Sequence, residues 1–309
     1  MEGKGQQVFI VGAPKCGTTM LFEVLSLHPE ICGATPKETG FLEFEHHHGL
    51  QFYRKKYYSN YRGEKYFLDG RPSNLFLPYV PARAESLFPD AKFIVMVRDP
   101  ARRAFSHWWM RYSRGFETLS FSDAIEKTIR QPEINVDDVA ESERLWLRHR
   151  DGASGRVKLR TYLEMGHYAQ QIKRYHERFG RERVLVIALE HLQQVPAHEH
   201  ARLERFLELA RLADFLADVP VSAVRNNEAV NPLEGRAIQL ARRVTLGRLV
   251  PQGLKASIKG LLRRTGSPPK LEAVMHQQVL KHFQASDREL AALMGWDECP
   301  WRAANSSAG

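Results

Sequence analysis

Residues Gly12-Ala13-Pro14-Lys15-Cys16-Gly17-Thr18-Thr19 follow directly on the apolar run Val8-Phe9-Ile10-Val11. A buried strand that turns through a glycine-bounded loop into a helix is a phosphate cradle, because backbone N–H groups and the helix start face an anion. The spacing from Gly12 to Gly17 and Thr18 is nearly that of a Walker loop, in which a lysine follows the second glycine. Here that place is held by Thr18, and the lysine is Lys15, inside the loop. The cradle predicts a grip on phosphate, with its cation directed at a different bond from that of a nucleotide triphosphatase.

A second apolar run, Lys92–Arg98, ends in a cation. A P-loop kinase places an acid at such a strand end to hold magnesium. Asp99-Pro100 then opens a helix, with proline near its first turn. Ser106, eight residues beyond Arg98, lies about two turns along it. Arginine and hydroxyl together can clamp a second phosphate. This residue set calls for no metal. Elsewhere the single residues read more plainly. Glu38, taken alone, is a solvated carboxylate. His46-His47-His48 cannot all face one metal from one loop and read as a solvated or acceptor-facing loop. His107 and Trp108 read as packing, and Cys16 as a space-filler in the loop.

These residues need a frame to hold them. Val8–Val11, Lys92–Arg98 and Val184–Leu189 read as buried strands. Helices are expected over Thr18–His28, with Leu21, Phe22, Leu25 and Leu27 near one face, over Asp99–Ser113 and Phe121–Arg130, over Gly166–Phe179 with Gly180 as C-cap, over His198–Leu212, and over Leu271–Phe283 and Asp287–Met294. Residues 30–80 read as irregular, site-forming loops. Asn135–Gly155, charged and poor in apolar residues, reads as a surface excursion. Strands alternating with helices predict an α/β fold: a three-layer α/β/α arrangement around a mainly parallel sheet, with a ligand at the carboxyl ends of the strands.

The chain has 309 residues, 43% of them hydrophobic and 26% charged, ordinary for a globular protein. No apolar run approaches the roughly 18–20 residues that cross a bilayer. The N-terminus passes straight into a strand, so no secretory signal is expected. Cys16, Cys32 and Cys299 have neither metal spacing nor a disulfide pattern, which fits a reducing cytoplasm. The net charge of +9 is local: Arg236 to Lys270 holds nine Lys/Arg and no acid, and the rest is formally neutral. That segment fits an anionic partner, such as a membrane surface or an acidic carrier protein, or else a solvated helix face.

The two nucleotide motifs, in this order, resemble those of sulfotransferases that use 3′-phosphoadenosine 5′-phosphosulfate, above all the heparan-sulfate-type branch and its bacterial relatives. Gly12–Thr19, continuing through Leu25 to Ile31, resembles the family's 5′-phosphosulfate loop and helix. Val97–Trp108 resembles its 3′-phosphate motif. Pro36-Lys37-Glu38 through Leu42 resembles the segment that carries a catalytic glutamate in glycan-modifying members. Gly166-His167-Tyr168, Phe179-Gly180 and Glu190-His191-Leu192 fit its middle, and Leu280 through Leu290 with Trp301 its end. The likeness spans almost the whole chain.

The resemblance implies a P-loop-like fold and a sulfotransferase. Lys15 is expected to stabilise the leaving phosphate, and Glu38 to take the proton from an acceptor hydroxyl during in-line attack on sulfur. Lys15, Cys16, Gly17, Thr18 and Thr19 are the expected contacts of the 5′-phosphosulfate. Arg98 and Ser106, with Arg263 and Arg264, are the expected contacts of the 3′-phosphate. The product is adenosine 3′,5′-bisphosphate, and neither metal nor nucleic acid is implied. The acceptor class is a glycan, glycolipid or secondary metabolite. One domain is expected over 1–301, with acceptor-side loops at 30–80 and 132–165, a basic helical lid at 234–270 and a disordered tail at 302–309. The location implied is cytoplasmic, with membrane-peripheral contact through 236–264. One departure concerns the acceptor side. Relatives carry a Glu-Lys pair before a proline; here the stretch is Asp69-Gly70-Arg71-Pro72. The competing readings are a P-loop nucleotide kinase and a non-catalytic anion- or membrane-binding protein.

Overall fold

Five parallel strands run through the centre of the molecule. The computed structural model describes residues 5–151, 157–209, 212 and 269–306. The strands are β1 (Gln6–Gly12), β2 (Ile31–Gly33), β3 (Tyr66–Asp69), β4 (Lys92–Val97) and β5 (Val184–Ala188), in the order β2-β3-β1-β4-β5. Nearly every residue of β1, β3, β4 and β5 is buried. Continuous apolar runs of this kind need cover on both faces, and only flanking helices supply it in a parallel sheet.

The chain leaves β1 for β2 and β3 on one side, then crosses back to β4 on the other. The carboxyl ends of β1 and β4 therefore bound the crevice where the order reverses, which is where open α/β sheets bind ligands. The sheet is held by aromatic packing. Phe93 of β4 stacks on Phe9 of β1 at 5.8 Å between ring centroids. On α7 (Tyr168–Phe179) it meets Tyr175 at 5.1 Å and Phe179 at 4.3 Å.

Helix α1 (Thr18–Ser26) follows the loop after β1, and α4 (Pro100–Tyr112) follows β4. Both match the sequence expectation, except that Leu27 caps α1 and is exposed. Residues 30–80 are more ordered than expected. They contain β2, β3, α2 (Gly49–Tyr57) and the start of α3 (Val80–Leu87), as well as a π-helical turn at Phe41–Glu45. The two strands escaped notice because they are three and four residues long, too short for a period to register. α5 (Phe121–Arg130) is as expected.

The stretch expected as a surface excursion at 135–155 is mostly exposed over its described residues, but it is not irregular. It holds α6 (Val139–Arg148), capped by Asp138, whose side chain accepts from Glu141 N. Ser142 and Trp146, one turn apart, turn inward. Downstream, α8 (Leu189–Gln194) and α9 (Pro196–Leu207) follow β5. α10 (Ala273–His282), α11 (Gln284–Met294) and α12 (Pro300–Ser306) close the described chain. Where a disordered tail was expected from residue 302, α12 continues to Ser306. Its start is pinned by buried Asp287, which accepts from Trp301 Nε1 (3.1 Å) and Arg302 Nε (2.7 Å). No helix among the described residues is long and apolar enough to cross a membrane.

Replacing Phe93 by alanine removes the ring that joins β1, β4 and α7. The expected loss is about 3–5 kcal/mol of folding stability, read from the denaturant midpoint.

Candidate active site

The loop after β1 is built around two left-handed residues. Gly17 has φ 89°, a conformation glycine adopts freely just before a helix. Lys15 has φ 72°, which costs a residue with a Cβ about 1–2 kcal/mol. The bend is held from β4: Arg98 Nη1 donates to the carbonyl oxygen of Lys15 at 2.9 Å. Tyr168 on α7 supports both loops from below. Its hydroxyl donates to Arg98 O at 2.9 Å and lies 3.8 Å from Cys16 Sγ. Ala13 N also donates to Met96 O on β4 at 2.6 Å.

The Lys15 side chain is drawn into a cleft of about 1130 Å3 that it lines with Gly17, Thr18, Thr19, Arg98 and Ser106. Burial, reinforced by the positive charges of Arg114 and Arg98, lowers its pKa to about 8. Cys16 is a correction to the expected phosphate contacts. Its thiol is fully buried, its N–H donates to Ala13 O at 3.2 Å, and it does not line the cleft.

The β4–α4 junction is equally fixed. Asp99 caps α4, accepting from Ala101 N (2.8 Å) and Arg102 N (3.0 Å). Its other oxygen meets His276 Nε2 at 2.6 Å, and its own N–H donates to Glu190 Oε1 at 2.9 Å. Burial works against the Asp99 charge, but the His276 bond and the helix N–H groups hold its pKa below the ordinary value. Helices α8 and α10 thus clamp the strand end that presents Arg98. His107, buried one residue beyond Ser106, is held neutral by burial and by the nearby Arg103 and Arg111 charges, which push its pKa well down.

The opposite wall carries Lys37, Glu38, Arg71, Ser73 and Trp146. Glu38 is half-exposed and pairs with Arg71 Nη1 at 3.2 Å and Lys37 Nζ at 3.8 Å. Arg71 in turn forks onto Glu43 through Nε (2.7 Å) and Nη2 (2.8 Å). Glu43 is fully buried and also accepts from Ser73 Oγ and from Trp146 Nε1 at 3.1 Å. Burial opposes its charge, yet the Arg71 guanidinium and these bonds hold its pKa below the usual carboxylate range. Nearby Asp69 goes the other way: burial lifts it to about 6, against bonds from Thr39 and Tyr53.

The structure therefore brings Lys15, Gly17, Thr18, Thr19, Glu38, Arg98 and Ser106 to one cleft. Arg263, Arg264 and the basic segment 234–270 lie outside the described residues. Sequence reasoning did not single out Lys37, Glu43 or Trp146, and noted Arg71 only within the departing stretch Asp69-Gly70-Arg71-Pro72. The Trp146 signal was present as an (i, i+4) pair with Ser142 behind an Asp138 cap. The Glu43–Arg71 pair had none, since 28 residues separate its members.

A strand-to-helix loop with a buried lysine thus shares one cleft with an arginine and a helix hydroxyl at the switch point of a parallel α/β sheet. A model of the sulfotransferase domain matches residues 5–245, and the chain belongs to that family. It is 30% identical over 206 residues to the heparan sulfate glucosamine 3-O-sulfotransferase 3B1 of Mus musculus, covering 67% of this chain and 47% of that protein. A bifunctional heparan sulfate N-deacetylase/N-sulfotransferase 1 of Caenorhabditis elegans is 25% identical over 205 residues, covering 65% of this chain and 22% of that protein. The chain spans about half the length, or less, of the curated relatives it matches. The crystal structure of a sulfotransferase from Alicyclobacillus acidocaldarius superimposes with TM-score 0.63 at 23% identity, covering 96% of this chain and 98% of that one, and establishes the same fold.

Arg71→Met strands the Glu43 carboxylate in the core. We expect a loss of about 3–5 kcal/mol in chemical denaturation, partly recovered in the double variant Arg71→Met/Glu43→Leu.

Proposed function

We propose that this chain transfers a sulfuryl group from 3′-phosphoadenosine 5′-phosphosulfate to an acceptor hydroxyl. The observation that carries the reading is the bond between Arg98 and the Lys15 carbonyl, which joins the two anion sites into one unit. The residues present fit the sulfuryl donor: a buried lysine and loop hydroxyls line one cleft together with an arginine and a helix hydroxyl. The donor, when bound, supplies a sulfur activated by a phosphate leaving group.

Lys15, Thr18, Thr19 and the helix start hold the 5′-phosphate, and Arg98 and Ser106 hold the 3′-phosphate. Lys15 is charged in the neutral range and neutralises the phosphate oxygen that receives the electron pair as the S–O bond breaks. Glu38 accepts the proton of the acceptor hydroxyl as the new O–S bond forms. Its cationic neighbours Lys37 and Arg71 keep it turned into the cleft. The acceptor is a hydroxyl on a glycan or smaller molecule, entering along the wall formed by Ser73 and Trp146.

The deciding experiment is incubation with radiolabelled 3′-phosphoadenosine 5′-phosphosulfate and a panel of desulfated heparan sulfate, glycolipids and phenolic or aliphatic alcohols, with products read by mass spectrometry. Label in an acceptor, dependent on the protein, supports the reading; donor binding without transfer to any member overturns it. Lys15→Ala should lower kcat by about 10²–10³-fold with the fold intact, since it removes one stabiliser of developing charge. The affinity for adenosine 3′,5′-bisphosphate should fall as pH rises through about 8, because Lys15 then loses its proton and its charge. Titration calorimetry at several pH values checks this, and Lys15→Met should abolish that step.

A further inference from the structure

Lys37 reaches the cleft by a route that depends on a missing side chain. Gly70 N donates to Lys37 O at 3.1 Å, so the end of β3 lies alongside residue 37. A Cβ on Gly70 would stand 2.8 Å from Lys37 Cε, 3.2 Å from Lys37 Cγ and 2.9 Å from Phe22 Cδ2. Real Cβ atoms do not approach carbon so closely, so the lysine stem occupies the space that any side chain at position 70 would take. Its ammonium ends 3.2 Å from Thr19 Oγ1 and 3.8 Å from Glu38 Oε1. The cation thus touches the phosphate-binding loop on one side and the candidate base on the other.

We propose that Lys37 is a positioning residue for sulfuryl transfer, tying Thr19 of the loop to Glu38, and that Gly70 is bare to let its stem pass. This rests on the sulfotransferase reading. The effect on Thr19 follows from hydrogen-bond inventory. A threonine hydroxyl has one proton and two lone pairs. Lys37 donates to the oxygen, so the Thr19 proton is left to point into the cleft at an anion.

The effect on Glu38 is orientational. Its two oxygens are met separately, Oε1 by Lys37 and Oε2 by Arg71. Each oxygen keeps a free lone pair for the acceptor proton. A half-exposed glutamate otherwise samples several rotamers, and small misplacements of a reacting group cost up to about 10²-fold in rate. Arg71 fixes Glu38 to the buried Glu43, and Lys37 fixes it to the loop. The base is thereby set relative to the leaving group, not merely to the acceptor wall.

The test uses the acceptor found in the panel above. In Lys37→Met we expect kcat to fall by about 30–100-fold, with the affinity for adenosine 3′,5′-bisphosphate within about threefold of wild type by calorimetry. Lys37→Arg, which keeps a cation, should recover about tenfold of the loss. Gly70→Ala displaces the stem and should reproduce the Lys37→Met defect without adding to it in the double variant. In a Glu38→Gln background, Lys37→Met should cost no more than about threefold. A folded Lys37→Met enzyme within twofold of wild-type kcat overturns the proposal and leaves the function standing. So does a full Lys37→Met loss that persists without Glu38. A wild-type chain that binds the nucleotide but sulfates nothing overturns the function and this inference with it.

Discussion

Arg98 donates one hydrogen bond to the carbonyl of Lys15, and the cleft is organised around it. A lysine in left-handed backbone is strained in isolation and relaxes unless its surroundings determine it. Here the loop after β1 and the end of β4 determine each other, with Tyr168 bridging them from below. Asp99, held by His276 and Glu190, then keeps the strand end from turning away. The loop after β1 and the end of β4 are therefore a single unit rather than two adjacent pieces.

The acceptor side uses a different principle. A chain of alternating charges runs from the core to the loop: Glu43, Arg71, Glu38, Lys37, then the Thr19 hydroxyl. Its inner end is desolvated and fully bonded, so Arg71 has little freedom to move. Its outer end is partly wet, with Glu38 half-exposed where it meets Arg71 and Lys37. Rigidity is thus handed outward from a buried ion pair, and Trp146 on α6 links that pair to the wall of the cleft.

The strand–loop–helix turn after β1 was legible because its residues are consecutive and their types are restrictive: glycine where φ is positive, threonines at a helix start, lysine within the turn. That Arg98 and Ser106 would line one cleft was legible because eight residues on a strand–helix junction give a fixed geometry. The irregular reading of 30–80 failed for the opposite reason. β2 and β3 are short and gain their definition from neighbours in the sheet, not from any pattern of their own. The surface reading of 135–155 holds for most of its described residues, but composition averages over a helix and concealed the one face that turns inward.

The sequence alone determined the family and the fold class, and it picked out the residues near two strand ends that line one cleft, since those depend on local backbone geometry that a short string of residue types specifies. Only the tertiary structure decided what surrounds Glu38. Glu43 and Arg71 are 28 residues apart in the chain, and Lys37 and Gly70 meet only when β3 is in the sheet. It also buried the Cys16 thiol away from the cleft and turned Trp146 inward. Ion pairs and close approaches between distant segments are set by packing, and no local spacing encodes them.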